Sequence, residues 1–269
     1  MKIPAQVRIL LVIVIFFLVV GFLYKALGIT GLSQARFTSL AIMAAIVVII
    51  IVMQVMRRMA GQYMLDKGLN ALNRQCDPVS AIALHTQKLE AARARGEKNA
   101  EMLFLNNLAV AYHANGETER ALNLLNGANV GQGNPAIQMV HSGNIAILNW
   151  DAGNYDEFWR HKTTVDNFIR DLNHKSPAYQ AICRQMERIG ARADILNGDY
   201  ERALAYFTGQ LKTIPAYDKY AIVSNHFIMA GIYFLTGDEA NYRQSLQFVA
   251  ENGNKLHVAR LARERLAEA

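Results

Sequence analysis

The most chemically specific pattern in the chain is a run of arginines. Arg184, Arg188 and Arg192 recur at every fourth residue, so on an α-helix they form one stripe along a single face. A guanidinium presents its donors as a fixed planar fork and can hold a carboxylate through two bonds at once. The stripe therefore predicts recognition of an acidic segment, or of a C-terminal carboxylate, on a protein or peptide partner. The competing reading is a solvated face whose arginines pair with Glu187 and Asp194 nearby. Trp150 and Phe234 are candidate aromatic anchors for the same partner, and Asn70, Asn106, Val110 and His113 are candidate neighbours. For the aromatic residues the competing place is the core, where helical spacing often puts them.

Other chemistry is sparse. The seven histidines, at 85, 113, 141, 161, 174, 226 and 257, contain no His-X-X-X-His or comparable metal spacing, and Cys76 and Cys183 stand alone. Gly127, Gly131 and Gly133 are followed by no Lys-Ser/Thr pair, so they make no phosphate loop. Cys76 beside Asp77 suggests a nucleophile only weakly. These patterns predict no catalytic residues, no cofactor and no metal, and a binding protein in place of an enzyme.

The elements that must position these residues divide the chain in two. Of 28 Lys and Arg, only Lys2, Arg8, Lys25 and Arg36 fall in residues 1–56, which hold no Asp or Glu. The remaining 24 face all 22 acidic residues, a net of +2, so the formal +6 is poor evidence for nucleic-acid binding. Residues 7–27 and 37–56 are two apolar runs of about the twenty residues a bilayer requires. The short turn Gly28–Ser33 would make them antiparallel. The sequence thus predicts a transmembrane hairpin over 1–58 and contact with a lipid bilayer. Arg57, Arg58, Lys67 and Arg74 after the second run join Lys2 and Arg8 against Lys25 and Arg36 in the turn, which predicts both ends in the cytoplasm. The expectation is an integral membrane protein, such as one of a prokaryotic plasma membrane, with a cytoplasmic domain over 59–269. Ala41 and Ala45 form a small-xxx-small pair, which supports the alternative of a membrane-complex subunit that meets its partners through the hairpin.

The larger part is repetitive. Gly116, Gly153, Gly198 and Gly237 fall 37, 45 and 39 residues apart. Each follows an apolar stretch of helical period and precedes a polar turn and a second such stretch. Glycine is suited to end the first helix, because that position often takes a positive φ. The Asp, Asn or Glu after it suits the start of the next. Ala121 and Ala203 are small residues where two helices would approach closely. Pro177 is placed to begin a first helix, and Lys255–Ala269 to close the stack with Val258, Leu261 and Leu266 inward.

Leu108, Ala109, Tyr112, Gly116, Ala121, Leu125 and Ala128, with Ala191, Gly198, Ala203, Phe207 and Pro215, resemble the tetratricopeptide repeat. Phe158 and Tyr242 depart from the Ala of that pattern. The resemblance spans about residues 62–250. It implies an all-α solenoid of four to five helix-turn-helix repeats whose first helices line a concave protein-binding face. Some members of that family clamp a carboxylate with Lys, Asn and Arg. Asn70 and Asn107 match two such positions, but Asp66 stands where the first Lys belongs. The resulting expectation is a membrane-anchored adaptor that binds protein or peptide partners.

Overall fold

The computed structural model describes residues 67–132, 135–170 and 177–268. The chain divides into two units, Met1–Met64 and Leu65–Ala269, of which the first lies outside the described residues. In the second unit every described element is helical. A helical segment over 67–73 is followed by α1 (Pro78–Ala94), α2 (Lys98–Asn115), α3 (Thr118–Asn126), a short 3₁₀ turn, α4 (Pro135–Asp151) and α5 (Tyr155–Arg170). Then come α6 (Pro177–Leu196), α7 (Tyr200–Thr213), α8 (Lys219–Thr236), α9 (Glu239–Asn252) and α10 (His257–Glu268).

Local chemistry sets the boundaries. At Gly116 (φ +94°) the chain leaves α2 in the left-handed region. The N–H groups of Gly116 and Glu117 return to the carbonyls of His113 and Tyr112, satisfying the last turn of the helix. The same pair of bonds recurs at Gly153, Gly198 and Gly237, so the four glycines of the sequence pattern are four equivalent helix ends. Asp77 caps α1 by accepting from the Ser80 N–H at 3.2 Å, with Pro78 as its first residue. Asp218 and Asp238 cap α8 and α9 in the same way, whereas Asp199 makes no side-chain cap bond. Pro177 begins α6 as expected.

Each pair buries one face against the next. Ala121 and Ala203 are fully buried where their helices cross, and Phe158 occupies the equivalent place in α5. Helix α2 packs on α4, and α4 on α6. These first helices are therefore neighbours that share an inner face.

The fold class expected from the sequence needs correction. All-α holds for the described residues, but among them no helix is long and apolar enough to cross a membrane. The physical reason is that polar residues interrupt the apolar runs of these helices, as Asn106 and Asn107 do in α2. Even α8 carries Ser224, Asn225 and His226 in succession at its middle. The expected spans 7–27 and 37–56 lie outside the described residues. The integral-membrane assignment, and the plasma-membrane location with a cytoplasmic domain drawn from it, thus find no spanning helix to rest on among the described residues.

A second difference concerns the end of the stack. Helix α10 does not merely cover α9; it also packs on α8 and on α2. One apolar cluster joins Ala71, Leu72, Cys76, Ala81, Ala111 and Ala114 to Val223, Leu246, Val249, Leu256, Ala259 and Ala262. Polar contacts cross the same seam. The Lys255 N–H donates to the Cys76 carbonyl at 3.2 Å, Lys255 Nζ meets Asp77 Oδ2 at 2.7 Å, and Asn254 Nδ2 donates to the Gln75 carbonyl at 2.7 Å. Arg260 donates to the Asn115 carbonyl at 2.9 Å, and the Arg74 guanidinium lies 4.9 Å from the Tyr217 ring centre. The stack closes on itself. Its inward residues on α10 are Ala259 and Ala262, flanked by Val258 and Leu266.

Burial also builds in an acid sensitivity. The His85 imidazole lies against Gly68, where an added Cβ would meet the ring at 2.6 Å. Burial holds its pKa down at about 4, against an ordinary 6.5, because the charged ring would lose its water. The unfolded chain takes up this proton near pH 6.5, the folded chain only near 4. Its contribution to stability is therefore intact above about pH 6.5 and lost as the pH falls toward 4, by up to about 3 kcal/mol. Burial lowers His141, His161, His226 and His257 as well, so they share the slope. Urea unfolding of the wild type and of His85→Leu at pH 7 and pH 5 is expected to show a smaller pH difference in the variant. An equal difference in both would show that His85 is not a source of the slope.

Candidate functional site

The inner face shared by the first helices carries a polar cluster that is buried at Arg192 and exposed at Asp151, Arg184 and Arg188. Five helices send polar side chains into it. From α2, His113 places Nε2 3.1 Å from Asp151 Oδ2 of α4, while its Nδ1 lies 3.0 Å from Thr118 Oγ1. The imidazole is thereby held at both nitrogens. Burial opposes the charge on Asp151, but His113 in contact with it, together with Arg192 and Arg188, outweighs that and holds its carboxyl below the usual range.

Helix α6 supplies the arginines, and the structure treats them unequally. Arg184 and Arg188 are exposed, whereas Arg192 is only 4% exposed. Arg192 lies over the Trp150 ring at 5.2 Å, and its Nη1 donates to the Arg188 carbonyl at 3.2 Å. Burial pulls its pKa down, and the Asp151 charge acts against that pull. Neither Arg188 nor Arg192 forms an ion pair among the described residues. The expected pairing with Asp194 does not occur, because Asp194 is held by Arg202 of α7, whose Nε donates to it at 2.8 Å.

Tyr206 of α7 and Tyr220 of α8 complete the cluster. Burial pushes both phenols up to about 12, so they stay protonated, although Arg188 and Arg192 pull the other way. Beside them is a cavity of about 370 Å³ lined by Asn144, Arg184, Gln185, Arg188, Tyr206 and Asn225, among others. One wall is a ladder of amides. Asn106 Nδ2 donates to the Met102 carbonyl, Asn144 donates to Asn106 Oδ1 at 3.0 Å, and Gln185 donates to Asn144 Oδ1 at 3.3 Å.

Of the residues singled out in the sequence, His113, Trp150, Arg184, Arg188 and Arg192 come together here, and Asn106 joins through Asn144. The other three have different neighbours, Val110 packing against the apolar cluster of the closing seam. The Asn70 carbonyl ends the 67–73 helix by accepting from Arg74 and Gln75. Phe234 is 65% exposed, with its ring 5.5 Å from that of Tyr242. Sequence reasoning missed Asp151, Tyr206 and Tyr220. Asp151 is the last residue of α4, three positions after Leu148 and one after Trp150, where an acid reads as an ordinary solvated helix end. Its role depends on His113 and Arg192, which are distant in sequence. No protein-family model matches the chain, and no curated protein matches it.

Proposed function

We propose that residues 65–269 form a tetratricopeptide-like binding module that takes an acidic segment of a protein or peptide partner at the arginine-lined cavity. The observation that carries this reading is that Arg184 and Arg188 line the cavity as exposed side chains and neither forms an ion pair among the described residues, while Asp194, on the same helix, is engaged by Arg202. Exposed guanidinium groups at a cavity that form no ion pair favour a partner that brings a carboxylate. The exposed Arg184 and Arg188 are the groups a partner meets first, and they give the encounter its electrostatic steering.

The test is affinity capture with the full-length chain, compared with Arg184→Glu/Arg188→Glu. The double variant is expected to lose the acidic partners retained by the wild type, with a nearly unchanged melting temperature. Retention is also expected to weaken between 0.1 M and 1 M salt, as the Debye length falls from about 10 Å to about 3 Å. Partners held equally by the double variant would show that the cavity is not their site.

A further inference from the structure

Two imidazoles on neighbouring helices each have a buried ring nitrogen without a hydrogen-bond partner: His141 Nδ1 on α4 and His161 Nδ1 on α5. His141 as a whole is only 3% exposed. Both side chains line one cavity of about 270 Å³, walled by α3, α4, α5 and the turn at Val130. They are near neighbours there, since a charge on His161 disfavours one on His141. Buried polar groups in folded proteins are nearly always paired, and an orphan calls for a reason. The bonds of the other ring nitrogens fix what each orphan offers. His141 donates to the Leu125 carbonyl; with Nδ1 unpartnered, the donor is Nε2, and Nδ1 carries a lone pair. His161 Nε2 lies 3.2 Å from Arg160 Nη2. A guanidinium only donates, so Nε2 accepts and the His161 proton sits on Nδ1. Burial pulls both imidazoles below their usual range, so both rings are neutral at pH 7. One orphan is therefore an acceptor and the other a donor.

We propose that this cavity binds a small neutral molecule with an apolar body and one hydroxyl, the hydroxyl accepting from His161 Nδ1–H and donating to His141 Nδ1. The site shares no lining residue with the arginine-lined cavity. A hydroxyl donates and accepts through one atom, and it leaves fewer polar groups unmet than an amide would. The body is apolar because the cavity presents mostly apolar surface, from Leu125, Val130, Ile145 and Phe168 among others. The ligand is neutral because, among the described residues, no Asp, Glu, Lys or Arg lines the cavity. The lone pair of His141 would also repel a carboxylate. A metal ion needs a lone pair from each ring, and the Arg160 contact puts a proton on His161 Nδ1 instead. The volume is several times the share of one water, about 30 Å³, and near the lower end of small-ligand sites. Both nitrogens are covered by neighbouring atoms, so seating the hydroxyl takes a small turn of each ring, for which the adjoining cavity leaves room.

The experiment titrates the full-length chain with phenol, anisole and toluene, which share a ring but carry a hydroxyl, an ether that only accepts, and no polar group. Thermal shift reads affinity, and nitrogen NMR of histidine-labelled protein reads the ring nitrogens directly. Phenol is expected to raise the melting temperature and to move the Nδ1 signals of two histidines, with anisole and toluene at least tenfold weaker. His141→Leu and His161→Phe are each expected to weaken phenol at least tenfold. His161→Phe, at the less buried position, decides the matter if His141→Leu does not fold. Arg184→Glu/Arg188→Glu should bind phenol as the wild type does, which keeps this site distinct from the acidic-partner reading. No response to phenol, equal affinity for the three probes, or undiminished phenol binding in the folded histidine variants overturns the proposal. So does phenol binding that leaves every histidine signal in place. Stabilisation by Zn²⁺ that both histidine variants abolish, with no response to phenol, would overturn it in favour of a metal site.

Discussion

Leu256→Ala is expected to loosen the C-terminal unit at both of its ends at once. The Leu256 side chain is fully buried just before α10, in the cluster that also holds Ala71, Leu72, Ala111 and Ala114. Truncating a buried leucine costs about 2–5 kcal/mol, depending on how far the site can collapse. In an open stack that loss stays local, because each repeat touches only its neighbours. Here the same side chain lies on the seam between the last helices and the first. Hydrogen exchange should therefore show lost protection over residues 71–85 and 108–115 as well as 246–262. Loss confined to the C-terminal helices would mean that the seam contributes nothing and that the stack behaves as an open one. The adjoining contact of Gly116 with His257 belongs to this seam, since an added Cβ would lie 2.8 Å from the ring.

Arg188→Glu and Arg192→Glu are expected to part company although they lie one helical turn apart. Arg192 is buried, stacked on Trp150 and aligned electrostatically with Asp151. Reversing its charge places a buried carboxylate beside the partly exposed one of Asp151. It also removes the cation that helps keep Asp151 ionised. Leaving a buried charge uncompensated typically costs about 3–5 kcal/mol, and that is the expected loss in urea unfolding. Arg188 is exposed, and only its carbonyl is bonded to Arg192, so its reversal should change stability by less than about 1 kcal/mol. Equal losses in the two variants would show that the stripe acts as one surface and that the interior placement of Arg192 is wrong.

The sequence by itself determined the helical pairs. Gly116, Gly153, Gly198 and Gly237 end helices because a local backbone conformation requires a residue without Cβ strain, and Asp77, Asp218 and Asp238 start helices because their carboxylates reach the next N–H groups. These are interactions over three or four residues, and they are legible wherever they occur. The inward faces were legible for the same reason, through the spacing of Ala121, Phe158 and Ala203. The arginine stripe was legible as a stripe, since a period of four needs only a helix.

What the tertiary structure decided was everything that depends on distance along the chain. Arg184, Arg188 and Arg192 have one identity and one spacing, yet neighbours from α4 and α7 bury the third and leave the first two exposed. Asp151 reads as a solvated helix end until His113 and Arg192 arrive beside it. The closing seam between Cys76–Asp77 and Asn254–Lys255 joins segments about 180 residues apart, with no local signature in either. A capping helix and a closing helix have the same amphipathic pattern. The accumulated turn of successive repeats, which no single repeat encodes, decides which of the two α10 becomes.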